Sequence, residues 1–134
     1  MKEVINRQTI FISSNHQNDN ATFNKDIFLD FNPDEVILRY FSFIPDQTGN
    51  AANDSNDDLA MIQCDKLRDK LIVFPVDNYD YHSTSFTPNI HFKITTSIDG
   101  IWNFTLTNPL NNNLSQIYGK ISFCLEFIKY SLTI

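Results

Sequence analysis

Glycine is scarce in this chain, with three residues in 134. Loops that cradle phosphate need several glycines at close spacing, and a nucleophile elbow needs a Gly-x-Ser-x-Gly turn, so P-loop, dinucleotide-fold and serine-hydrolase sites of those kinds are excluded. Cysteine is rarer still: Cys64 and Cys124 are the whole complement and show no CxxC spacing. Neither a disulfide framework nor a thiolate zinc site is implied, and both residues read as buried thiols on apolar strands. No unbroken apolar run of about 18 residues exists, so no helical membrane span is expected. A basic surplus is also missing. Sixteen acids against ten Lys and Arg give a net charge of −6 and a sequence pI near 4.8, the opposite of a nucleic-acid footprint. The opening stretch MKEVINRQTIFISSN lacks the apolar core of a signal peptide, so export by that route is not expected.

What the chain does hold is the vocabulary of strands. Isoleucine (16), phenylalanine (12) and tyrosine (5) abound, while alanine (4) and glutamate (3), both good helix formers, are few. With 42% hydrophobic residues in 134, residues 1–134 make one domain with a sizeable core.

Along the chain, residues 1–8 read as an N-terminal arm and 9–13 (TIFIS) as a short strand. Residues 23–31 (FNKDIFLDF) end with Ile27, Leu29 and Phe31 at period two, a second strand. In residues 36–43 (VILRYFSF) hydrophobes occupy both parities, so this strand is covered on both faces, as a sandwich centre or by another subunit. Residues 45–58, rich in Asn and Asp, form a long solvated loop. A strand through Cys64 and a turn follow, and then LIVFPV (71–76), where Pro75 points to an edge position. Residues 77–88 form a second long loop. Residues 90–96 and 101–107 alternate cleanly on either side of Ser97-Ile98-Asp99-Gly100, which predicts a hairpin. Residues 120–134 close the chain as a long strand with one buried face. The sum is an all-β, single antiparallel β-sandwich of seven or eight strands, for which jelly-roll topology is one wiring.

Chemistry-bearing patterns are thin. Tyr79, Tyr81, His82 and Phe86 place aromatics on the 77–88 loop, where a partner or a groove would cover them. Asp80 with His82 has ligand spacing but reads as a solvated loop pair. Asp54, Asn56 and Asp58 match positions one, three and five of a calcium loop. Leu59, however, stands where that loop needs glycine, so an EF-hand is not expected and only a simpler Asp/Asn calcium clamp stays open. No nucleophile–base pair is marked, and no cofactor is called for.

The succession VILRYFSF (36–43), AMIQCDKL (60–67), LIVF (71–74) and GKISFCLEF (119–127) resembles the small β-sandwich, jelly-roll-like minor capsid, cement and spike proteins of virophages, Polinton-type elements and related protist DNA viruses. The abundance of Ile, Asn, Phe and Lys over Gly, Ala, Arg and Pro fits such AT-rich genomes. The resemblance brings no catalytic residue. It implies a non-enzymatic virion component, assembled in the host cytoplasm, whose partners are further copies of itself or capsid proteins. The alternative is a lectin-like carbohydrate-binding module. It would use Tyr79, Tyr81, His82 and Phe86 against a glycan, with Asp54, Asn56 and Asp58 as a calcium clamp.

Overall fold

A computed structural model describes residues 2–14, 22–45, 59–67, 70–75, 84–94, 97–109 and 119–132. Among them are nine strands and no helix: β1 (Lys2–Ser14), β2 (Thr22–Ile27), β3 (Glu35–Pro45), β4 (Leu59–Cys64), β5 (Lys70–Pro75), β6 (Thr84–Phe86), β7 (Ile90–Lys93), β8 (Gly100–Thr107) and β9 (Gly119–Leu132). Every pairing is antiparallel. Sheet A runs β1-β9-β3, with β6 and β7 sharing the far side of β3, and sheet B runs β2-β8-β4-β5.

The pairing is nested. β1 lies on β9, β2 on β8, β3 on β6 and β7, and β4 on β5, so the first half of the chain is laid against the second around the β4–β5 connection. Rolling that ribbon brings β9 against β3 and β8 against β4. With β6 and β7 counted as two pieces of one strand along β3, this is the eight-strand jelly roll, the all-β sandwich that the alternation predicts.

Aromatic rings join the two sheets. Phe41 and Phe43 of sheet A meet Phe74 of sheet B at 4.7 and 5.6 Å between ring centroids. Phe104 packs edge-on to Phe123 at 5.2 Å, and Trp102 edge-on to Phe127 at 5.5 Å. Such tilted and T-shaped pairs suit the ring quadrupole and add to the area they bury. The indole N–H of Trp102, fully enclosed, donates to the Ile98 carbonyl at 2.7 Å, so burial leaves no orphaned donor.

The structure differs from the sequence expectations in four places. From Lys2 on, the expected arm is the first half of β1, paired with the end of β9. Residues 2–9 are all exposed, so they carry no burial periodicity by which a strand is recognised. Second, β2 stops at Ile27; Leu29 and Phe31 still pack on the core, but from the connection to β3. That connection is tied down where Asp34 N–H donates to the Ile128 carbonyl (2.9 Å), the Asp34 carbonyl accepts from Ile94 N–H (3.1 Å), and its carboxylate accepts from Tyr130 N–H (2.9 Å).

Third, β7 and β8 are not a hairpin. β7 pairs with β3 in sheet A, whereas β8 sits between β2 and β4 in sheet B. Alternation at period two reports which face is buried and leaves the neighbour open, so strands in facing sheets carry the same signal as strands side by side. Just before β8, Ile98 is buried and Gly100 takes a φ of +124° that glycine tolerates. Fourth, Phe86 belongs to β6 rather than to a displayed loop, with its ring 5.3 Å from Phe41. The 45–58 loop from residue 46 on, and the 77–88 loop up to residue 83, lie outside the described residues.

Candidate functional site

The outer face of sheet A is the most distinctive surface. On β3, Val36, Leu38, Phe41 and Phe43 belong to the core; the opposite parity, with a bulge between Leu38 and Tyr40, presents Ile37, Arg39, Tyr40, Ser42 and Ile44 outward. The register lays these side chains in rows across the sheet. Ser13, Ser122, Ser42 and Ser85 form one row. Phe11, Cys124 and Tyr40 form the next. Thr9, Glu126, Ile37 and His91 form the third.

Two physical characters meet on this face. Glu126, whose side chain is 12% exposed, takes Arg39 Nη2 at 3.0 Å and lies 3.8 Å from Arg7 Nε, so arginines from β3 and β1 converge on one carboxylate of β9. Arg39 also donates to Asn89 Oδ1 at 3.1 Å. These long side chains reach across strands, and Ile37 and Ile128 between them are 1% and 2% exposed although they point away from the core. Beyond the charged rows the surface turns apolar and open: Phe11 is 73% exposed, Ile44 48% and Tyr40 39%, with Val4 and Ile5 exposed further along β1.

A cleft of about 610 Å³ opens at one end of the same sheet, where Lys2, Glu35, His91, Lys93, Lys129 and Tyr130 contribute to its lining. Its charged groups serve one another. The Glu35 carboxylate holds His91 Nδ1 and accepts the Tyr130 hydroxyl at 3.5 Å, Lys129 donates to the Asn32 carbonyl at 3.2 Å, and the Lys2 ammonium lies 5.7 Å from the centre of the Tyr130 ring. Burial, with Glu35 beside it, pushes the Tyr130 phenol up. Burial likewise pushes the Cys64 thiol up to about 11 and raises that of Cys124. Both thiols therefore stay protonated at neutral pH, the reverse of an activated nucleophile. Among the described residues no three of His, Cys, Asp and Glu are placed to hold a metal ion.

Of the residues singled out from sequence, only Phe86 is described; half-buried on Phe41, it belongs to the packing of sheet A. Tyr79, Tyr81, His82, Asp54, Asn56 and Asp58 lie outside the described residues, as do the glycan and calcium ideas that rest on them. Phe11 and Ile44 were not singled out, although a signal existed: both sit in runs with hydrophobes at both parities, TIFIS and VILRYFSFI.

No protein-family model matches the chain, and neither does any curated protein or solved structure.

Proposed function

We propose that this protein is a non-enzymatic structural component that works by assembling with other proteins, a minor capsid, cement or spike-head subunit of a virion put together in the host cytoplasm. One observation carries the reading. Sheet A turns Phe11, Tyr40 and Ile44 outward, with Phe11 73% exposed, on a rigid β-framework where nothing else among the described residues covers them. Large apolar side chains exposed together on one sheet face point to an association surface. The jelly-roll wiring agrees, since capsid domains use it, although a fold by itself does not specify function. The net charge of −6 disfavours a direct role on nucleic acid.

The test is fractionation of source cells on a density gradient, followed by detection of the chain. It is expected in nuclease-resistant particles, and Phe11→Asp with Tyr40→Asp is expected to release it without changing its melting temperature. A chain that stays wholly at the top of the gradient while particles form refutes the virion assignment.

A further inference from the structure

We propose that strand β1 is a self-pairing edge: two copies of this chain join antiparallel along residues 8–14, about a two-fold axis at Phe11, into one continuous sheet. This rests on the assembly reading above and names its first partner, a second copy.

Strand edges present unpaired N–H and C=O groups, and folded proteins blunt them with proline, lysine, other charges or brevity. In this molecule the other edges are blunted. β5 carries Lys70 and Pro75, β2 carries Lys25 and Asp26, and β6 and β7 are three and four residues long, with Lys93 on β7. β1 is thirteen residues long, and among the described residues only β9 pairs with it. Its charges stop at Arg7, and residues 8–14 (QTIFISS) contain neither charge nor proline. Among the described residues this edge alone is long and without such a block.

The sequence of that edge is complementary to itself. With Phe11 opposite Phe11 of a second copy, Ile10 faces Ile12, Thr9 faces Ser13 and Gln8 faces Ser14. The three pairs at the centre match in size and polarity, Gln8 with Ser14 matches in polarity alone, and no like charges meet. Each pair also matches in face. Ile10 and Ile12 turn toward the core, while Thr9, Phe11 and Ser13 turn outward, so the joined sheet keeps one inner and one outer surface. The two exposed Phe11 rings become cross-strand neighbours and cover each other. A two-fold contact of this kind is closed and gives a dimer rather than a fibre.

The experiment is sedimentation or light scattering over a concentration series, with variants at Thr9 and Ser13, both exposed. The unaltered chain is expected to reach twice the 15.5 kDa mass of one chain, with amide protection over residues 8–14 rising with concentration. Thr9→Lys with Ser13→Lys places two lysine pairs across the axis and weakens the dimer by about tenfold or more; Thr9→Glu with Ser13→Glu does the same. Mixing the two variants one to one restores dimers. A chain that remains monomeric at every concentration overturns the proposal and leaves docking to an unlike capsid protein standing, since the gradient experiment judges that separately. Dimers indifferent to both double variants, or a mixture that stays monomeric, overturn it as well. Unchanged melting curves of the variants keep these outcomes free of folding effects.

Discussion

The two sheets share one core and present different outsides. Sheet B pairs polar groups across its outside, with Asn24 opposite Asn103, Thr22 opposite Thr105 and Gln63 opposite Thr105, and exposes Leu59 and Ile101 but no aromatic ring among its described residues. Its loop end is locked by Asp65, whose carboxylate accepts from Asn103 N–H at 3.0 Å and from its side-chain amide at 2.8 Å. Sheet A carries long arginines, buried isoleucines and open aromatic rings on its corresponding face. Equal burial inside with unequal chemistry outside teaches that the inner faces make the fold, while the outer faces are free to differ.

The comparison breaks first where both sheets depend on one side chain. Trp102→Ala removes an enclosed indole that meets Phe104 of its own sheet and Phe127 across the sandwich. The expected loss is about 3 to 5 kcal/mol by urea denaturation, with both sheets unfolding together.

Alkaline pH probes the inner side of sheet B. The Cys64 thiol is raised from 9.0 to about 11 by burial. The unfolded chain then releases this proton before the folded one does, so the contribution is complete below pH 9 and is lost as pH rises toward 11. The loss amounts to about 3 kcal/mol. Equilibrium unfolding at pH 8, 9, 10 and 11 is expected to show this decline, and Cys64→Ala is expected to flatten it.

Phe86→Ala tests whether β6 is packing or display. Its half-buried ring on Phe41 predicts a cost of about 1 to 2 kcal/mol, less than a fully enclosed phenylalanine. A cost near zero would return Phe86 to the displayed aromatics. The smallest effect belongs to the outer faces. Phe11→Ser on sheet A and Ile101→Ser on sheet B, 73% and 54% exposed, are each expected to shift monomer stability by about 0.5 kcal/mol or less. Only the first is expected to change self-association in sedimentation.

Much of this architecture is legible in the residues. The alternation of Ile121, Phe123, Leu125 and Phe127 marks β9 and its buried face, Pro75 marks the end of an edge strand, and hydrophobes at both parities of 36–43 mark a strand with work on both sides. The candidate surface was legible only in part. Tyr40 lies within that two-sided run, but Phe11 is flanked by Ile10 and Ile12, and composition alone does not say which of the three faces water. Residues 2–8 were opaque because a strand exposed on both faces has no hydrophobic period to display.

From its residues alone this chain is committed to antiparallel strands around a phenylalanine-rich core, because period-two burial is a local property that each segment carries with it. Tertiary structure alone decided who sits beside whom. It sent Ile90–Lys93 to β3 and Gly100–Thr107 to β2 and β4, paired residues 2–8 with the end of β9, and placed Phe11, Cys124 and Tyr40 in one row. Neighbours in a rolled sheet are set by closing the whole ribbon over one shared core, a cooperative choice that no single segment encodes.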